Sequence, residues 1–225
     1  MKNEMKKKTL LSWSSGKDSA WALHVLKQQP DIEVVGLFCT YNEKFERGAM
    51  HGVRTELIMQ QAEKIGLPLQ LIPIPDPCSD SDYKKIMADF VAGAKSWKID
   101  AIAFGDLYLE WIRRYRKANL AETGIAAIFP LWGMETRKLS AEMIDSGLRA
   151  KITTVDPEYL SADFSGHDYD MAFLEQIPDS VDPCGENGEF HSFVYDGPMF
   201  KSKINVCTGE TVTRNGFIYT DILLC

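Results

Sequence analysis

Six consecutive residues, Ser14-Ser15-Gly16-Lys17-Asp18-Ser19, bring together hydroxyls, a glycine, a cation and a carboxylate. Small residues let backbone N–H groups approach a ligand closely, and a helix that starts there directs its positive end at it. Lys17 adds a point charge, and the hydroxyls of Ser14, Ser15 and Ser19 can donate to phosphate oxygens. In an empty loop Lys17 is expected to face solvent. Asp18 is out of place beside an anion unless it caps the helix or works through bound Mg²⁺. The stretch is not a mononucleotide P-loop. That pattern needs a glycine where this chain has Leu11, and Ser or Thr where it has Asp18.

A second group lies late in the chain, in Cys184-Gly185-Glu186-Asn187-Gly188-Glu189-Phe190-His191. If Glu189 begins a strand, period two puts it on one face with His191, where the pair can orient an acceptor or handle a proton. Glu186 precedes an Asn-Gly turn and reads equally well as a site acid or a loop acid. Asp106 can hold magnesium or a substrate ammonium, or cap the following helix. Arg113, Arg114, Arg116 and Lys117 form a basic run whose default is a solvated helix face. One of these arginines can meet phosphate if the run borders the crevice. His51, Gly52 and Arg54 fall where a lid or a plain loop would lie. His24 reads as structural and His167 as a loop residue.

Positioning these groups requires alternating strands and helices. Strand-like runs at Thr9 to Trp13, Glu33 to Thr40, Leu69 to Ile74, Ala101 to Phe104 and Ala126 to Leu131 alternate with helical periodicity. The helices are expected at Ala20 to Gln29, Arg54 to Ile65 (closed by Gly66), Asp82 to Trp97 and Leu107 to Glu122. This pattern predicts an α/β fold with a parallel five-stranded doubly wound sheet. Its ligand crevice lies beyond the strands' carboxyl ends, which carry Ser14, Cys39-Thr40, Gly105-Asp106 and Leu131-Trp132. From residue 134 on, a helix (Arg137 to Ser146) and short strands at Ala150 to Val155, Phe190 to Tyr195, Lys203 to Val206 and Phe217 to Leu224 predict a smaller α+β domain. The division is 1–133 for nucleotide and 134–225 for substrate.

Composition narrows the partners. A formal charge of −7 disfavours a protein that grips nucleic acid through its phosphates. No apolar run approaches a membrane span, so no membrane association is expected. The basic start, Lys2 to Lys8, precedes a run too short for a signal sequence. Five scattered cysteines without C-x-x-C argue against a disulfide framework or structural zinc, and the cytoplasm is the expected address.

The Ser14–Ser19 stretch resembles the S-G-G-x-D-S signature of the PP-loop ATP pyrophosphatases, with Ser15 in place of the first glycine. Gly105-Asp106-Leu107, Pro130-Leu131-Trp132, Cys184 to His191 and Asp196-Gly197-Pro198 together resemble the ATP-binding family that includes diphthine–ammonia ligase. The resemblance implies an adenine nucleotide alpha hydrolase-like fold with ATP and Mg²⁺ as cofactors. ATP would be held by Ser14 to Ser19, Cys39, Thr40, Gly105 and Asp106. It implies catalytic roles for Lys17, Asp106, Glu186, Glu189 and His191, and a two-step reaction in which a carboxylate is adenylated and ammonia then displaces AMP. His191 stands where diphthamide-forming members tend to carry an acid, and this variant resembles a prokaryotic branch linked to corrinoid salvage. The acceptor is therefore open between diphthine on elongation factor 2, a corrinoid side-chain carboxylate and another small acid. A tRNA-modifying PP-loop enzyme and a non-catalytic nucleotide sensor are the rival readings.

Overall fold

The computed structural model describes residues 6–49 and 52–225. Lys2 to Met5 and His51, named above, lie outside the described residues. The first half runs β1 (Lys7–Ser12), α1 (Lys17–Gln28), β2 (Ile32–Asn42), β3 (Arg47–Gly48), α2 (Thr55–Ile65), β4 (Leu69–Ile74), α3 (Asp80–Ser96), β5 (Ala101–Ala103), α4 (Glu110–Leu120) and β6 (Ala126–Ile128). After it come α5 (Thr136–Asp145), β7 (Arg149–Val155), a 3₁₀ turn (Ala162–Phe164), α6 (Met171–Gln176), β8 (Phe190–Asp196), β9 (Val206–Arg214) and β10 (Phe217–Leu224).

Five of the first six strands are parallel. β1 lies between β2 and β5, β4 pairs the far edge of β2, and β6 pairs β5. The chain thus starts in the middle of the sheet, moves outward one way through β2 and β4, and returns to build β5 and β6 on the other side. That reversal opens a crevice between the carboxyl ends of β1 and β5. The sheet has one strand more than expected. β2 outruns β1, and its last residues, Tyr41 and Asn42, pair antiparallel with the two-residue β3. A strand that short has no hydrophobic period to betray it.

Both faces of this sheet are covered. Trp21 and Leu23 of α1 and Leu57 and Ile58 of α2 are buried on one side. Phe90 and Val91 of α3 and Leu120 of α4 pack with Phe38 and Ile102 on the other. Gly66 closes α2 as expected, in the left-handed region at φ 79°, with its N–H on the Ala62 carbonyl at 2.8 Å.

The four later strands form an antiparallel sheet in the order β8-β7-β10-β9. Its residues Ile152, Phe193 and Val194 belong to the same apolar cluster as Trp13, Trp21 and Leu23, so the second sheet packs against the α1 side of the first. The strand expected over Lys203 to Val206 instead runs from Val206 to Arg214. Most of its residues are exposed, so burial wrote no alternation into them. Cys207 and Cys225 are disulfide-bonded, which the scattered spacing did not suggest; the β9–β10 hairpin brings the start of one strand beside the end of the other. Among the described residues no helix is long and apolar enough to cross a membrane.

One buried amide joins the parts. Gln61 of α2 accepts from the Trp13 indole N–H at 2.8 Å and donates to the carbonyls of Ser15 at 3.0 Å and Val194 at 2.6 Å. Gln61→Leu fits the space and removes all three bonds, leaving the Ser15 carbonyl with only the Val194 N–H. It is expected to lower the unfolding free energy by about 3 kcal/mol in urea titrations, at about 1 kcal/mol per lost buried hydrogen bond.

Candidate functional site

The loop after β1 is held from behind. Ser15 sits at φ 71°, a region that suits glycine, and this is the position where the PP-loop signature has one. Its carbonyl accepts from both Gln61 and the Val194 N–H, each at 3.0 Å, while its own hydroxyl is buried without a partner. The other two hydroxyls engage each other, with Ser14 Oγ and Ser19 Oγ 3.1 Å apart and Ser19 also donating to the Gly16 carbonyl at 2.9 Å.

Lys17 does not face solvent; it is 2% exposed. The second sheet covers the first turn of α1, and the Lys17 N–H donates to Ser192 Oγ at 3.2 Å. The ammonium donates to Asp18 Oδ2 at 2.8 Å and to the Cys184 carbonyl, and lies over the rings of Phe190 at 5.2 Å and Tyr169 at 5.7 Å. Burial works against this charge. The neighbouring Asp18 and Glu186 outweigh it and hold the ammonium above its ordinary range.

Across the crevice, β5 exits over the start of α1. A Cβ on Gly105 would lie 2.9 Å from the Asp18 carbonyl carbon and 3.0 Å from the Ser19 nitrogen, so only glycine passes there. Asp106 follows, 3.6 Å from Arg116 Nε. Burial pushes its carboxyl up, against the pull of Arg116, and the charge of Asp18 adds to the rise. Asp18 Oδ1 and Asp106 Oδ2 are both buried without a hydrogen-bond partner. No group of three or more metal-ligating side chains occurs among the described residues. Mg²⁺ commonly takes one or two carboxylates and completes its shell with phosphates and water, so this pair fits it.

A cavity opens on the outer side of the loop, lined by Ser12 to Ser14, by Phe38, Cys39 and Thr40 of β2, and by Gly48 and Ala49. Cys39 and Thr40 thus line it, although β2 runs past them to Asn42. Burial pushes the Cys39 thiol up to about 12, which leaves it a packing group. Its opposite wall carries Arg116 of the basic run, and four residues that the sequence did not single out: Tyr83 and Met87 of α3, and Tyr115 and Asn119 of α4. The basic run on α4 was the available signal. Two of its arginines stack on aromatics, Arg116 over Phe104 at 4.9 Å and Arg113 over Trp132 at 4.4 Å.

The late motif acts as a brace. Glu186 Oε1 accepts from the N–H groups of Leu107 at 2.8 Å and Tyr108 at 3.4 Å, so it fixes the segment that carries Asp106. Burial raises its carboxyl to about 7, against those two bonds. Glu189 is 1% exposed and precedes β8 instead of sharing a strand face with His191. Its carboxylate accepts from the Asp182 and Asn187 N–H groups at 3.1 and 3.0 Å and from the Asn187 side chain at 2.8 Å. His191 is half-buried, and burial with the nearby Lys17 charge pushes it down to about 4, leaving a neutral imidazole. His24 stacks on Trp21 at 4.5 Å, and His167 lies in the loop that the sequence suggested.

Residues 6–126 match the diphthamide synthase N-terminal domain family, and residues 135–222 match its C-terminal domain family. The chain is 29% identical over 171 residues to a diphthine–ammonia ligase of Danio rerio, covering 68% of this chain and 66% of that one. It is 25% identical to one of Bos taurus (67% and 58% covered) and 29% identical to one of Schizosaccharomyces pombe (52% and 20% covered). The matched segment spans less than two thirds of each relative's length.

Two outcomes follow from this geometry. Lys17→Met strands Asp18 without its cation and is expected to lower the unfolding free energy by about 2 kcal/mol. Adding Asp18→Asn should recover part of that loss, and a double variant weaker than the single one would contradict the pairing. For Glu186 the folded carboxyl binds its proton more tightly than the unfolded one. Its contribution is full at low pH and is lost as pH rises towards about 7. Glu186→Gln, compared with the parent in urea at about pH 5 and about pH 8, should therefore gain relative stability at the higher pH.

Proposed function

Because the chain belongs to the diphthamide synthase family, we propose that it is an ATP-dependent ligase of the diphthine–ammonia ligase type. A carboxylate oxygen of the acceptor attacks the α-phosphorus of ATP, and pyrophosphate leaves. Ammonia then attacks the acyl carbon, the bond from that carbon to the phosphate oxygen breaks, AMP leaves with its electron pair, and the surplus proton passes to solvent. The observation that carries this reading is a cavity at the carboxyl end of β1 that reaches Ser14, the first residue of the Ser14–Ser19 loop.

In this proposal the adenosine lies between β2 and the α3–α4 wall, and the outer phosphates meet the loop at the positive end of α1. Asp18 and Asp106 are the residues that would hold Mg²⁺, which would neutralise charge on the departing pyrophosphate. Lys17 supplies its charge from beneath the loop, through the first turn of α1, and not as a side chain at its mouth. Glu186 and Glu189 are positioning residues: the first fixes the backbone beside Asp106, and the second the turn that leads to His191. A neutral His191 accepts a hydrogen bond from ammonia and orients its lone pair; an imidazole pushed down to about 4 is too weak a base to store the proton.

The relatives named above are diphthine–ammonia ligases, so diphthine is the favoured acceptor. A corrinoid carboxylate finds no support in their names. The division at 133/134 and a cytoplasmic address belong to the same proposal.

The test is turnover of ATP with Mg²⁺, ammonium and a panel of carboxylates that includes diphthine-bearing elongation factor 2. AMP and pyrophosphate in equal amounts are expected. ADP and phosphate, or bound nucleotide without turnover, would count against the ligase and, in the second case, for a sensor. His191→Ala is expected to slow amide formation by about a hundredfold, within the usual range for such groups. Adenylation should stay near the parent rate, so the acyl-adenylate accumulates and can be identified by mass.

A further inference from the structure

A second cavity lies between the two sheets. One wall is the β2–β3 hairpin and the entry to α2; the other is formed by β7, β9 and β10. Gly48 and Ala49 line both this cavity and the nucleotide cavity, so the two adjoin across a pair of small residues.

Three arginines gather on its walls. Arg47 donates to Asp221 at 2.9 Å, and Arg54 grips the same carboxylate with Nη2 at 2.6 Å and Nε at 3.1 Å. These guanidiniums hold the Asp221 carboxyl down at about 2 despite its partial burial, so one anion faces two cations. Each guanidinium has five N–H donors in a fixed fork, and Asp221 with the Gly52 carbonyl uses only part of them. Farther along the wall stand Glu210 and Arg214, the latter within electrostatic reach of Tyr219. Among the lining residues three arginines stand against two carboxylates, and Glu56, 3.9 Å from Arg54, balances the third, so the cavity concentrates guanidinium donors in a chain of net −7. Thr153 lines the same space at 3% exposure, and its hydroxyl has no hydrogen-bond partner.

We propose that this second cavity is the acceptor subsite. It takes a carboxylate-bearing group whose acid end is drawn by Arg47, Arg54 and Arg214 and whose polar remainder meets Thr153. The shared wall places that acid next to the nucleotide, as the first half-reaction requires. The inference rests on the ligase reading, and it names where the acid waits and what attracts it. The same chemistry serves a free organic acid and a carboxylate carried on a peptide.

The test reads binding, so it stands apart from turnover. ¹⁵N-labelled full-length protein is titrated with glutarate and, separately, with an acetylated, amidated pentapeptide carrying one glutamate. Backbone shifts are expected at Thr153, Arg214 and Tyr219, and not at Tyr83 or Asn119 in the nucleotide cavity. Arg214→Glu should weaken the acid about tenfold, a little over 1 kcal/mol, while ATP binds as before. Thr153→Val, nearly isosteric, should weaken it less and leave the fold untouched. Tighter binding of glutarate assigns the site to free acids, and tighter binding of the peptide assigns it to a protein-borne acid; either supports the subsite. Shifts confined to the nucleotide cavity, equal binding by Arg214→Glu, or no binding of either probe would overturn it. Absence of AMP with every carboxylate, alongside retained acid binding at Thr153, would defeat the ligase reading and with it the acceptor role, leaving only an acid-binding cavity.

Discussion

The Ser15 carbonyl accepts two hydrogen bonds at once, from the Gln61 side chain and from the backbone N–H of Val194, and the organisation of the molecule follows from that point. A loop of small polar residues has little packing of its own and would otherwise sample many shapes. Here it is fastened from α2 and from β8 together. Each fastening is buried, where a hydrogen bond faces no competition from water and its loss leaves an unsatisfied group. Lys17 adds a third attachment from the same direction, through Ser192, Asp18 and Cys184. The second sheet is thus part of the loop's support as well as a wall of the neighbouring cavity.

This arrangement explains what the sequence disclosed and what it hid. Alternating runs revealed the five parallel strands, because strands buried on both faces are written as apolar runs and their helices as period-3.6 patterns. The Ser14–Ser19 loop was legible because its residues are consecutive in the chain. The burial of Lys17 was not, since it depends on β8, more than 170 residues away. Glu189 was expected on a strand face with His191; it precedes β8 instead, and its carboxylate is engaged locally by the turn around Asn187. β9 was half lost because an exposed strand carries no hydrophobic alternation, although Asn215 and Gly216, both at positive φ, mark the turn that follows it. The aromatic and polar wall on α3 and α4 left a trace only in the basic run.

Charge is distributed with a consistent logic. The acids nearest the loop, Asp106 and Glu186, are pushed up by burial and held by a single arginine or by backbone N–H groups. Asp221, farther out, is pulled the opposite way by two arginines. The site thus joins a region where negative charge is costly to one where it is welcome. Phosphate and carboxylate chemistry would use both.

Gly105 sets the tolerance of the whole centre. With no side chain between them, the exit of β5 rests directly on the peptide joining Asp18 to Ser19. The carboxylates of Asp18 and Asp106 are therefore anchored by main chain lying on main chain. Rotamer changes can swing their oxygens, but their anchor points shift only if a strand end and a helix start move as one solid piece.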